Sequence, residues 1–268
     1  MPAAEKVGSG GLASTSFASV PVWDADLCYA RRAVLESTKP GPLLQGRMSS
    51  EGRVSGAAES TRKPKPLARG VLHAMAALVA IPAVLLLASH ARPGTSTTMA
   101  ICYGLSLILV FGVSGLYHTP MWSLAARRRM RRLDHSMIYF LIAGSYVPFA
   151  SVLTTVPRAI VMSISVGGGL IGLIKAHAWE RAPRFLTTGF YVVIGWCIVP
   201  FFPQVYAYRA DAAQLLLLGG ILYSGGAVVY WLRRPNPWPR VFGYHEVNHL
   251  IGLGGAVAHY IAIWRILG

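Results

Sequence analysis

Between residues 70 and 266 the chain is written as seven long apolar runs, and that repetition limits the fold more than any other feature. They lie at about 70–88, 97–118, 133–153, 157–176, 185–202, 212–232 and 244–266. About 20 apolar residues at about 1.5 Å each span a bilayer's hydrocarbon core, so each run is long enough to cross one. Inside lipid the backbone finds no water, so each crossing must close its own hydrogen bonds as a helix. The expected fold is all-α, a seven-transmembrane-helix bundle in a multi-pass protein of the cell (plasma) membrane. Composition agrees: 54% of residues are hydrophobic and 13% charged, where soluble domains carry about 25% charge. Pro148 falls inside the third run, a kink that a buried membrane helix tolerates. The glycines at 167–169, with Gly219, Gly220, Gly225 and Gly226, suit close helix packing in lipid.

Ahead of the runs, residues 1–67 are rich in Ser, Gly, Ala, Pro and Arg and hold no sustained apolar stretch. The expectation is a disordered cytoplasmic extension, followed by a membrane domain over 68–268. The extension has no apolar core of the length a secretory signal needs, and Met48 offers a start further along. Cys28, Cys102 and Cys197 are scattered without a CxxC pair, so neither a disulfide framework nor a thiolate metal site is indicated. A metal in this chain would be held by nitrogen and oxygen.

A formal net charge of +15 raises nucleic acid as a partner, but the placement of the cations excludes it. Ten Lys and Arg precede helix one, up to Arg69; five more (Arg127, Arg128, Arg129, Arg131, Arg132) separate the second and third runs. Lys175, Arg181 and Arg184 follow the fourth run, and Arg233, Arg234 and Arg240 follow the sixth. The opposite ends hold four: Arg92, Arg158, Arg209 and Arg265. Lys and Arg concentrate in cytoplasmic loops, so the N-terminus is expected in the cytoplasm and the C-terminus outside. Anionic lipid at the cytoplasmic face is the expected contact of the basic rim.

This topology gathers polar groups that are far apart in sequence. His118 ends the second run, Asp134 begins the third, and His245 and His249 begin the seventh, all at the cytoplasmic end. Residues i and i+4 share a helix face, so His245 and His249 can point at one object, as Ser114 does with His118. Two imidazoles at that spacing are a common offer to a metal ion. Ionisable groups within a span are costly unless they serve a site. One such histidine alone is more simply an interfacial anchor, but four groups at one depth point to a metal centre. His135 sits about 100° round the helix from Asp134, so the two do not face one site. His259 lies about 15 Å beyond His249 along the helix and belongs with the packing of the other half. His73 has the right depth but no partner spacing.

The stretches "SGLYH", "RRLDHSMIYFLIAGSYVPF", "WPRVFGYHEVNH" and the late "HY" resemble the hemolysin III family, bacterial relatives of the progestin and adiponectin receptors. The resemblance covers about residues 64–268. It implies a seven-helix bundle with Zn²⁺ near the cytoplasmic side, bound by His118, His245 and His249, with Asp134 holding a water and Ser114 close by. Asn248 departs from the pattern, where relatives usually have an aromatic residue. Glu246 is not shared by the receptor branch, which makes it a weak catalytic candidate.

On that ligand set, three imidazoles and a water form an open site of the catalytic kind. Asp134 would orient the water and accept its proton, and Ser114 would hydrogen-bond the developing oxyanion. A site facing the inner leaflet suits an acyl lipid, so the expected activity is zinc-dependent hydrolysis of a lipid amide or ester. The competing reading is a receptor, lipid-binding or pore-forming (hemolysin-type) protein with structural zinc. "HEVNH" also matches the HExxH of zinc proteases, with Glu246 as base, but "RRPNPWP" supplies no further carboxylate ligand. Arg233 or Arg240 would then be the interfacial partner of Glu246. Transport is not favoured, because no polar track crosses the bilayer. The oligomeric state is left open by the sequence.

Overall fold

The structure is a computed structural model that describes residues 66–179 and 182–268. The expectation of a disordered extension falls almost wholly on residues outside that range. Among the described residues the regular structure is helical: α1 (Val71–His90), α2 (Thr95–His118), α3 (Leu124–Ser151), α4 (Thr155–Ala178), α5 (Arg184–Gly195), α6 (Phe202–Tyr208), α7 (Ala210–Leu232) and α8 (Tyr244–Leu267). A 3₁₀ turn, Val199–Phe201, joins α5 to α6. Among the described residues six stretches are long and apolar enough to cross a membrane, one of them being Phe185–Tyr208 taken as a single span. α3 supplies the seventh crossing. The result is a seven-span, multi-pass membrane bundle.

Apolar residues lie on the outside as well as in the core, unlike in a water-soluble domain. Tyr103, Phe149, Val161, Val205 and Ile263 are sealed inside, while Leu78, Val79, Leu85, Ile174 and Val193 stand more than half exposed. An exposed apolar surface of that extent marks a lipid-facing wall. Close approach of α7 and α8 rests on small residues, since a Cβ at Gly226 would lie 3.0 Å from Asn248 Oδ1 and one at Gly255 3.2 Å from the Gly219 carbonyl. Gly167 and Gly225 face open space instead, so helix packing does not account for them.

Two expected boundaries need correction. α3 begins at Leu124, nine residues before the third apolar run, so the five arginines at 127–132 ride on a helix and not in a loop. Arginine is a good helix former, and the Ser123 hydroxyl accepts the Ala126 N–H to start the first turn. At 28 residues α3 is about 42 Å long, more than the hydrocarbon thickness, so its basic start projects beyond the core. The fifth span is likewise not one helix over 185–202. Pro200 and Pro203 cannot donate to the ladder, and the helix opens after Gly195. The Tyr146 hydroxyl donates to the freed Gly195 carbonyl at 2.6 Å, and Trp196 Nε1 donates to Ser224 Oγ at 2.8 Å. Neighbouring helices thus satisfy the break, as lipid requires.

The four arginines of the less basic end have structural work. Arg158 donates to the carbonyls of Ala150 and Ser151 at the end of α3 and of Leu153 just beyond its cap. Arg92 donates to the Ile266 carbonyl and Arg209 to the Arg265 carbonyl, at the end of α8, and Arg265 reaches Asp211 at 3.6 Å. Cations at helix C-termini satisfy orphan carbonyls and oppose the helix dipole.

Candidate metal centre

α2 ends in His118, one turn beyond Ser114, and both side chains are buried on the face toward the bundle interior. α8 starts at Tyr244, and its first two turns turn His245 and His249 to the same point. The ring centroids of His118 and His245 are 4.5 Å apart, those of His245 and His249 4.3 Å, and those of His118 and His249 5.4 Å. His245 Nε2 lies 3.0 Å from His118 Nε2. One ring nitrogen from each of the three histidines falls within 4.8 Å of the others.

That spacing fits a metal ion. Tetrahedral donors about 2.0–2.1 Å from a zinc ion lie about 3.3 Å from one another, and the His118–His245 pair at 3.0 Å is close to that value, with His249 within 4.8 Å of both. Neutral imidazoles are borderline donors suited to Zn²⁺ and its neighbours in the transition series. The three histidines can therefore hold a metal ion between α2 and α8.

Asp134 enters from α3, with Oδ2 4.0 Å from His118 Nε2 and its carboxyl hydrogen-bonded by the Ser114 hydroxyl. The carboxylate stands beside the His118 member of the trio. A serine hydroxyl has one proton to donate. In this arrangement Ser114 donates it to Asp134.

Glu246 behaves otherwise than expected. It is buried at 1% exposure, yet its partner is neither Arg233 nor Arg240. Arg69, just before α1, pairs with Oε1, and the Gly243 N–H donates to Oε2 at 2.8 Å. The second bond returns to the residue before the helix, the backward half of a capping box. With both oxygens engaged, Glu246 does not face the histidines as the base of an HExxH protease would. Asn248 also turns away, toward Gly226 of α7.

His73, an outside candidate by depth alone, joins the cluster. Its ring lies flat on that of His249, with centroids 3.7 Å apart and planes 2° from parallel, and its buried Nδ1 has no hydrogen-bond partner among the described residues. The available signal was its depth near the start of helix one, since nothing local links it to α8. His259 is in the other half as expected, packed against Phe149 and Tyr223 and bonded to the Leu216 carbonyl at 3.2 Å. His90 stacks on Trp264 at the far end.

Comparison with known proteins converges on one group. The family model described as Haemolysin-III related matches residues 61–260. Hemolysin-3 of Bacillus cereus is 30% identical over 206 residues, covering 74% of this chain and 89% of that protein. The Hemolysin-3 homolog of Bacillus subtilis (strain 168) is 30% identical over 206 residues, covering 74% and 92%. The Monocyte to macrophage differentiation factor of Homo sapiens is 28% identical over 173 residues, covering 62% and 68%.

Proposed function

This chain belongs to the haemolysin-III related family, and from that premise we propose that it is a zinc-dependent hydrolase of a lipid amide or ester. The site lies at the cytoplasmic side, in the orientation that the basic rim favours. One observation supports the reading above the rest: three imidazoles, two buried and that of His245 half-buried, with ring nitrogens within 4.8 Å of each other and a carboxylate 4.0 Å from one of them. His118, His245 and His249 would hold the ion. Zinc in an open three-histidine site supplies Lewis acidity, which makes water nucleophilic near neutral pH and polarises a carbonyl.

Asp134 orients a water against the acyl carbon and takes its proton as the new C–O bond forms. The C–N or C–O bond to the leaving group then breaks, and Asp134 returns the proton to the departing nitrogen or oxygen. Ser114 keeps the carboxylate in register through its hydrogen bond. Acyl lipids reach the site from the surrounding leaflet, and anionic lipid meets the basic rim.

The name of the Bacillus cereus relative favours a second reading, a membrane-lytic or lipid-binding protein in which zinc is structural. Both are tested on purified, zinc-loaded protein with a panel of acyl lipids and with dye-filled vesicles. Zinc-dependent release of fatty acid supports the hydrolase. No cleavage across the panel, with lysis that survives a His118, His245 and His249 triple alanine variant, refutes it.

A further inference from the structure

The segment leading into α1 touches the ligand-bearing elements at three places. Leu67 and Ala68 donate their N–H groups to the Arg240 and Val241 carbonyls, each at 3.1 Å, so the segment is laid beside the loop that starts α8. Arg69 then pairs with Glu246, the residue after His245. Gly70 crosses the end of α2 so closely that a Cβ would lie 2.7 Å from His118 Cβ. One turn into α1, His73 covers the face of His249 at 3.7 Å.

We propose that Arg69 to His73 is the positioning element of the three-histidine site, fixing His118, His245 and His249 from outside the ligand set. The inference rests on the metal reading above. A ligating imidazole needs its ring plane held, commonly by a hydrogen bond from the other ring nitrogen to a carboxylate or carbonyl. At His249 a flat ring packed against it restricts rotation instead. At the start of α8, Arg69 pulls on Glu246 while the Gly243 N–H anchors its other oxygen, so the first turn carrying His245 is held at both ends. At α2, the backbone of Gly70 closes over His118 and limits movement of the last residue of that helix. The same crossing covers the trio on the α1 side, where water would otherwise compete for the donors.

The test measures zinc affinity of the full chain in detergent, by competition with a chelating dye, for Arg69→Met, His73→Ala and His73→Phe. Visible absorption of the Co²⁺-loaded protein reports donor geometry in the same samples. Residues that orient ligands typically contribute 10–100-fold to metal affinity, so Arg69→Met and His73→Ala are each expected to weaken zinc by about 10-fold or more and to shift the Co²⁺ bands. His73→Phe keeps a flat ring and is expected to restore both readouts close to wild type. Wild-type affinity and spectrum in Arg69→Met and His73→Ala overturn the inference alone. Equal losses in His73→Phe and His73→Ala also overturn it, because the ring face would then not be the operative part. If Arg69→Met does not fold, the His73 pair decides by itself. A wild type that binds neither Zn²⁺ nor Co²⁺ overturns the metal reading and this inference together.

Discussion

Replacing Gly70 by alanine puts a number on how closely the chain passes over His118. Gly70 has φ 84° and ψ −16°, a left-handed conformation. An L side chain there costs about 1–2 kcal/mol. The added methyl would lie 2.7 Å from His118 Cβ and 2.9 Å from Thr119 Oγ1. Carbon pairs rest at about 3.5–4.0 Å, so the contact must open by about 1 Å. The neighbour is a Cβ fixed to its helix and cannot swing aside. Overpacking of this kind costs about 1–3 kcal/mol, for a total of about 2–5 kcal/mol. Any relief comes from moving His118, whose nitrogen must stay within about 0.2 Å of its bonding distance to hold an ion.

Gly94 supplies the control. It also has positive φ, at 93°, but a Cβ there meets nothing within 4 Å. Gly94→Ala therefore incurs backbone strain of about 1–3 kcal/mol and no clash. Thermal unfolding in detergent, followed by circular dichroism, and a zinc titration are run on both variants. Both should melt below wild type, with Gly70→Ala lower, and Gly70→Ala alone should lose at least about 10-fold in zinc affinity. If it binds zinc as tightly as wild type and melts with Gly94→Ala, the close approach at His118 is refuted.

The other predictions address the site and the far end of the bundle separately. The double variant His245→Ala, His249→Ala should lose its zinc, measured by elemental analysis of purified protein; retained stoichiometric zinc would disprove the assigned ligands. Asp134→Ala should keep the metal and lose about 100-fold or more in lipid hydrolysis, the usual scale of general base catalysis; undiminished turnover would remove Asp134 from the mechanism. Arg158→Ala removes the guanidinium donor from the Ser151 and Leu153 carbonyls and a second donor from that of Ala150, and should lower stability by about 1–3 kcal/mol with zinc affinity unchanged, read from melts and titrations. Tyr146→Phe strips the Gly195 carbonyl of its hydroxyl donor and should cost about 1–2 kcal/mol by the same assay.

Much of the candidate site was legible because its signals are local. His245 and His249 share a face through the helical period alone, and Ser114 with His118 repeats it. Counting crossings then put those helix ends and Asp134 at one depth, where the structure brings all five side chains together. The start of α3 was misplaced because apolarity was read as the measure of the helix, and an arginine-rich turn continues a helix into water without it. The opening of the fifth span was written in Pro200 and Pro203, but an apolar run hides it until one asks which groups satisfy the freed carbonyls.

By itself, then, the sequence determined the seven apolar crossings, the i, i+4 histidine pair and the unequal basic charge of the two ends, since each follows from chain length, helical period and the cost of charge in lipid. Only the tertiary structure decided that Glu246 meets a cation 177 residues away and that the His73 ring covers His249. Those choices depend on which helices become neighbours in the bundle. A buried charge takes whichever counter-ion packing delivers to it, and no periodicity along one helix encodes that partner.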